Sequence, residues 1–277
     1  MALPPIASFG TEEQRQRFLG PGLRGERIAA LAITEPGAGS DVASIRTRAE
    51  RVDGGWILNG AKTFITGGVR ADVLLTAVRT TPEGGHHGMS FLIVERAEDD
   101  GVTTSALRKL GWHASDTAEI ALADVFVPEQ NLLGEENGGF GLIVANFQWE
   151  RLLMALGALG AMTVCFEQTL AFLRGREAGQ AIRHRMAEIA LEIEAGRCLT
   201  YAALRRYVAG ADAVREVTMA KLRTQRAAVD AISACLDIHG LDAPPELERA
   251  LRDARLGPIG GGTDEIMKEI LGRSMGL

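Results

Sequence analysis

Leu31-Ala32-Ile33-Thr34-Glu35-Pro36-Gly37-Ala38-Gly39-Ser40-Asp41 runs from an apolar segment into a glycine-rich turn that carries hydroxyl side chains at both ends. The apolar start reads as a strand. The glycines let backbone N–H groups approach a ligand closely, and Thr34 and Ser40 add hydroxyls. Such a turn suits a phosphate or a flavin edge. Taken alone it equally suits an ordinary tight loop, so its surroundings decide.

Around this turn the sequence is rich in Gly, Pro, Thr and β-branched residues in short runs. Trp56-Ile57-Leu58-Asn59-Gly60 ends in an Asn-Gly turn signal. Residues 73–78 and 90–94 read as buried strands, and residues 118–122 and 124–127 alternate like half-exposed ones. Several short strands predict a small β-barrel or sandwich. Near residue 138 the texture changes. Residues 140–173 lack proline, residues 181–208 repeat apolar side chains at three-and-four spacing (Ile182, Met186, Ile189, Ile193), and helices are expected over 213–238 and 246–256. A last helix starts after Gly262 with Thr263 as its N-cap. Long amphipathic helices on short loops predict an antiparallel four-helix bundle. The expected fold class is α+β, with a short helical segment at 1–26 (helix over 12–19), a β-domain at 27–137 and a helical bundle at 138–277.

Composition narrows the function. The 277 residues are 46% hydrophobic with a net charge of -6, which supports a sizeable core and excludes a disordered chain. A pI near 5.5 argues against a nucleic-acid partner. No unbroken apolar run reaches the roughly 18 residues of a bilayer span. The start MALPPIASFG shows no secretion signal, so a cytoplasmic location is expected. Cys165, Cys198 and Cys235 form no CxxC pair and read as buried thiols. The histidines lack metal-ligand spacing: His86-His87 reads as a solvated loop, and His113, His184 and His239 as structural or solvated, so no metal is expected.

The turn is followed in order by Asn59-Gly60-Ala61-Lys62-Thr63-Phe64-Ile65-Thr66, by Leu110-Gly111-Trp112 with Ser115-Asp116-Thr117, by Arg252-Asp253-Ala254-Arg255, and by Gly260-Gly261-Gly262-Thr263-Asp264-Glu265-Ile266. In this order the set resembles the flavin-dependent acyl-CoA dehydrogenases, over about residues 8 to 277. The resemblance implies a β-domain and a C-terminal four-helix bundle, with FAD between them and often shared across a dimer. It implies oxidation of an acyl-CoA, or a carrier-bound acyl thioester, to the 2,3-enoyl product. A carboxylate removes the α-proton while hydride leaves the β-carbon. That proton is far too weakly acidic for a carboxylate in water, so hydrogen bonds to the thioester carbonyl and exclusion of water must assist.

Many members of that family carry the base directly before the Gly-Thr of the C-terminal motif, a position held here by Gly261. Members resembling the long-chain and isovaleryl enzymes carry it on a helix just before an Arg. Phe147-Gln148-Trp149-Glu150-Arg151 matches that arrangement, so Glu150 is the candidate base, with Gly261 N–H a donor to the thioester carbonyl. The competing reading of Glu150 is a solvated helix residue paired with Arg. By the same resemblance Thr34, Gly39 and Ser40 line the flavin and its phosphates, Thr66 lies near flavin N5, and Phe64 lies against the ring or else in a strand core. Thr263 and Glu265 lie near the cofactor at a helix N-terminus. Arg176 reaches the diphosphate of a neighbouring subunit's FAD, or else is a solvated Arg at a helix C-terminus.

The sequence also departs from the family pattern. Only nine residues precede Gly10, so the family's N-terminal helical domain is expected to be missing. The loop after Arg176-Glu177-Ala178 is short, and Asp237-Ile238-His239-Gly240 leads into a short, Pro-rich loop where the family has a Gln-x-x-Gly-Gly-x-Gly turn. Both loops concern the ADP half of FAD, and Asp237 brings negative charge toward a diphosphate. Two functions are therefore carried forward: a FAD-dependent acyl-CoA dehydrogenase-like oxidoreductase using Glu150, and a non-catalytic or half-site subunit of a hetero-oligomeric acyl-CoA dehydrogenase with impaired FAD binding. Expected partners are an electron-transfer flavoprotein or similar acceptor and further subunits, as a homo- or hetero-oligomer.

Overall fold

The computed structural model describes residues 2–82, 85–97 and 101–277. They fall into two compact units, one reaching Lys109 and resuming at His113–Asn146, the other holding Leu110–Trp112 and Phe147–Leu277. The chain is α+β, with a sheet in the first unit and helices in the second.

The first unit opens with α1 (Leu3–Phe9), α2 (Glu12–Gln14) and α3 (Gly20–Leu23). A wide π turn, Arg15–Leu19, joins α2 to α3, so the helical run expected over 12–19 continues four residues further. Thr11 and Gln14 cap α2 reciprocally, and Gln14 Nε2 donates to the carbonyls of Gln130 and Leu132, both at 2.8 Å. The strands are β1 (Ala29–Ala32), β2 (Arg48–Val52), β3 (Gly55–Thr66), β4 (Val73–Arg79), β5 (Met89–Glu95), β6 (Val102–Ala106), β7 (Thr117–Pro128) and β8 (Leu132–Leu133). They form one connected sheet in the order β6-β7-β3-β2-β4-β5-β8, with β1 parallel to β4. Its core is Trp56, Leu58, Leu74, Leu92, Ile120 and Val125 with their neighbours.

Two strand expectations change. Asn59-Gly60 is not a hairpin turn, because β3 runs straight through it with a register shift against β7. Asn59 instead exchanges two hydrogen bonds with Asp124, giving Nδ2 to Asp124 Oδ1 at 2.9 Å and accepting Asp124 N at 3.0 Å. Gly60 is required by close approach: a Cβ there would stand 2.5 Å from Thr47 Oγ1. The two strands read at 118–122 and 124–127 are one strand, β7, whose alternation resets at Asp124, held at φ 53°. The left-handed residue supplies the phase slip that the sequence pattern showed as a break.

The helical unit contains most of α4 (Gly139–Leu173), then α5 (Gln180–Val208), α6 (Val214–His239), α7 (Pro245–Ala254) and α8 (Asp264–Ser274). Met186, Ile189 and Ile193 of α5 are buried together with Met162 and Cys165 of α4 and Ala228, Ile232 and Cys235 of α6. Burying each such Ile or Met side chain stabilises by about 1.5–3 kcal/mol. Gly196 lets α5 approach α4, since a Cβ there would meet Leu159 Cδ2 at 3.0 Å. Cys165 and Cys235 are buried but Cys198 is exposed, because it falls on the outward face of α5. By length and composition α4 is apolar enough to cross a membrane, although its apolar run is interrupted. Its Leu152, Ala155 and Met162 are packed inside the helical unit.

Candidate functional site

The glycine turn is built on a buried ion pair. Glu35 and Ala38 exchange backbone hydrogen bonds at 3.0 and 3.1 Å, closing a tight turn over Pro36-Gly37. The Glu35 carboxylate points inward and accepts from Arg46 N (2.6 Å), Thr47 N (2.9 Å) and Lys62 Nζ (2.8 Å). Lys62, with a side chain 0% exposed, also donates to the carbonyl of Ile33 at 3.0 Å. Burial opposes the charge on Glu35, yet Lys62 and these donors hold its carboxyl below the usual range. Burial pushes the Lys62 ammonium down to about 8, with Glu35 opposing the shift.

Gly37 and Gly39 have no positive φ. A Cβ on Gly37 would meet nothing within 4 Å, and one on Gly39 only Thr34 Cγ2 at 3.7 Å. Nothing inside the described chain demands glycine there, so the open backbone fits a group that lies against it from outside. Thr34 is half-buried and Ser40 exposed beside this surface.

The second half of the β unit's surface is the end of β3. Thr63 N donates to Thr34 O at 2.9 Å, which ties this strand end to the turn. Phe64 follows in the left-handed region at φ 58°, within a register shift between Lys62 and Ile65, and its side chain is 69% exposed. A non-glycine residue in that conformation costs about 1 kcal/mol, and such strain gathers at functional sites. The exposure removes the strand-core reading of Phe64. Thr66 is exposed at the strand end opposite Thr117.

In the helical unit, Glu150 is half-buried on α4. Among the described residues its carboxylate makes no hydrogen bond or ion pair. Burial raises its pKa above the ordinary carboxylate range, and nearby positive charge, Arg151 included, only partly opposes the shift. The competing reading of a solvated Glu-Arg pair fails, because Arg151 is buried and turns its Nε to the carbonyl of Gly261 at 2.8 Å, with its guanidinium over the Phe147 ring. Lys221 of α6, fully buried, donates Nζ to the next carbonyl, Gly262 O, at 2.7 Å. Two cations thus grip successive peptides of a loop in which Gly261 and Gly262 stand at φ 64° and 98°. Among the described residues the Gly261 N–H has no acceptor. Thr263 then caps α8, its hydroxyl accepting Ile266 N at 3.4 Å, and Glu265 is exposed in the first turn, its carboxyl held low by its own backbone N–H and the Thr263 hydroxyl.

Arg176 stands apart from these residues in its contacts. It lies over the Phe172 ring at 3.8 Å and pairs with Asp242 at 3.3 Å, both groups well exposed. Phe172 stacks on His239 at 4.1 Å, and His239 Nε2 meets Thr169 Oγ1 at 3.2 Å. His86 lies at 4.0 Å from the Phe140 ring, and His113 bonds Lys109 O at 2.9 Å. Sequence reading missed Glu35, Lys62 and Lys221. A signal existed for the lysines: Lys62 sits at an inward phase of β3, and Lys221 follows Val217 by one helical turn on the buried face of α6.

The β unit thus carries an open glycine turn beside a strained, exposed aromatic, and the helical unit carries a half-buried carboxylate that has no partner among the described residues. The descriptions "Acyl-CoA dehydrogenase, middle domain" and "Acyl-CoA dehydrogenase, C-terminal domain" match residues 30–125 and 137–276. The chain is 37% identical over 281 residues to an acyl-CoA dehydrogenase of Bacillus subtilis, covering 97% of this chain and 74% of that protein. It is 36% identical over 289 residues to the rat mitochondrial long-chain specific acyl-CoA dehydrogenase, covering 99% and 67%. A solved structure described as the FAD complex of PigA superposes with a TM-score of 0.95 at 30% identity, covering 99% of this chain and 74% of that one. The chain therefore belongs to the acyl-CoA dehydrogenase family of FAD-dependent flavoenzyme oxidoreductases.

Proposed function

We propose that this chain binds FAD and converts an acyl-CoA, or a carrier-bound acyl thioester, to its 2,3-enoyl form with Glu150 as the base. The observation that carries the reading is the Glu150 carboxylate, half-buried and without a hydrogen bond or ion pair among the described residues, one residue from an arginine that holds the Gly261 loop. Glu150 takes the α-proton onto its carboxylate as the α,β double bond forms. Its raised pKa narrows the gap between base and acid. Gly261 gives its N–H, which has no acceptor among the described residues, to the thioester carbonyl, where negative charge develops. FAD, when bound, would supply the acceptor for the hydride that leaves the β-carbon. Thr34, Gly39 and Ser40 would hold the flavin and its phosphates, with Phe64 and Thr66 from the end of β3 and Thr263 and Glu265 from the start of α8 as further residues for the cofactor. An electron-transfer flavoprotein or similar acceptor would be the redox partner.

In this reading the helices form an antiparallel four-helix bundle at 138–277, the β-domain occupies 27–137 and the segment 1–26 precedes it. The protein is cytoplasmic and oligomeric, spans no membrane and binds no nucleic acid. Arg176 would reach the FAD diphosphate of a neighbouring subunit. A second reading, a non-catalytic or half-site subunit with impaired FAD binding, is favoured by one observation: Asp242 already occupies the Arg176 guanidinium. A visible spectrum of freshly purified protein, followed by anaerobic addition of a panel of acyl-CoAs, separates the two. The first reading expects flavin absorbance that bleaches with at least one substrate. Flavin that never bleaches, or co-purification with a second dehydrogenase chain, favours the other.

A further inference from the structure

We propose that the buried Glu35–Lys62 pair is a positioning device that locks the glycine turn and the Phe64 knuckle into one rigid element of the β unit. The inference rests on the reading of that surface as the FAD site. Three bonds join the two segments: Lys62 Nζ to Ile33 O at 3.0 Å, Lys62 Nζ to Glu35 Oε1 at 2.8 Å, and Thr63 N to Thr34 O at 2.9 Å. The other donors on Glu35, Arg46 N and Thr47 N, bring a third segment to the same carboxylate.

A purely structural role does not explain the choice of residues. A buried ion pair loses most of its Coulomb attraction to desolvation, and an apolar pair of equal volume generally stabilises as well or better. What an apolar pair lacks is direction. Carboxylate and ammonium accept and donate along fixed lines, and here the protein acceptors and donors they serve are backbone groups of residues 33, 46 and 47, around the turn. On the strand side, Lys62 is separated by one residue from Phe64, whose left-handed conformation persists only if its neighbours over-determine it. The register shift at Lys62–Ile65 and the bond from Thr63 N to Thr34 O do so. Neither Glu35 nor Lys62 is exposed, at 7% and 1% of their surfaces, so they act on a ligand only through Thr34, the glycine backbone and Phe64.

The test measures FAD affinity by flavin fluorescence quenching and the visible circular dichroism of the bound flavin, in the full chain. Lys62→Met and Glu35→Gln are compared with wild type and with Glu50→Gln, whose exposed partner is Arg48. Far-UV circular dichroism checks folding. Lys62→Met is expected to weaken FAD binding at least tenfold and to change the visible band shape, a signature that mere loss of stability does not produce in the folded, bound fraction. Glu35→Gln keeps an acceptor and the volume, and is expected to weaken binding three- to tenfold with the same spectral change; it decides the matter if Lys62→Met does not fold. Glu50→Gln is expected to match wild type. Affinity within twofold of wild type and an unchanged band shape in a folded Glu35→Gln or Lys62→Met overturns the inference while leaving the flavin reading intact. Wild-type protein that binds no FAD overturns both.

Discussion

Gly261→Ala tests the glycine loop that stands beside the proposed base. Gly261 lies at φ 64°, where an L-residue costs about 1 kcal/mol relative to glycine. The new Cβ would stand 2.7 Å from Met154 Sδ, roughly 1 Å inside normal contact, so the sulfur must withdraw. Because that atom is the far end of a flexible side chain, the packing cost is about 1 kcal/mol. The two effects together predict a loss of about 2 kcal/mol, or roughly 4–8 °C in the transition that melts the helices. Gly272 is the control: it lies in α8 at ordinary helical φ with nothing within 4 Å of a Cβ, so Gly272→Ala is expected to stabilise by about 0.5–1 kcal/mol. Displacing the loop also moves the Gly261 N–H and relaxes the Arg151 anchor, which predicts a roughly 10- to 100-fold fall in kcat/KM. Thermal melts and steady-state kinetics on both variants suffice. A Gly261→Ala protein as stable and as active as wild type would refute the placement of this loop in the mechanism.

The remaining predictions are more direct. Because burial raises the Glu150 pKa, the base is protonated and inactive up to a higher pH than an ordinary carboxylate; kcat/KM should fall with decreasing pH through a midpoint above 4.5, and a limb at or below 4.5 contradicts this. Of three thiols, only exposed Cys198 should react quickly with a disulfide reagent at pH 8, since burial pushes Cys165 up to about 11 and Cys235 upward as well; equal labelling of all three refutes the packing. Trp112, held at φ 55°, gives its N–H to Asp253 Oδ1 at 2.5 Å and its indole N–H to Asp253 O at 2.9 Å. Asp253→Ala removes one of these and should cost about 1 kcal/mol in denaturant unfolding, against no change if the contact is incidental.

Much of the architecture was legible from periodicity. The three-and-four spacing of Met186, Ile189 and Ile193 gave α5 its buried face, and the apolar runs at 73–78 and 90–94 became central strands. What was not legible depended on partners distant in sequence. Asn59-Gly60 carries the local chemistry of a turn, but Asp124, 65 residues away, recruits Asn59 into a strand irregularity. Exposure of Cys198 follows from which face α5 turns outward, not from its type. Of the candidate site, the proposed residues sit in distinctive local motifs, while the cations behind them carry no such signal. Lys62 and Lys221 look like surface lysines until tertiary structure supplies the Glu35 carboxylate and the Gly262 carbonyl. The helix over 12–19 was placed correctly at its start, where Thr11 and Gln14 form a local capping box, and missed at its end, where a π turn carries it on.

The most direct measurement is anaerobic single-turnover bleaching of the FAD-loaded protein by an acyl-CoA, wild type against Glu150→Gln. The account predicts that Glu150→Gln retains the flavin spectrum and slows bleaching by about 100- to 10,000-fold, the range a general base contributes. Bleaching of Glu150→Gln at the wild-type rate would place the base elsewhere and contradict the mechanism.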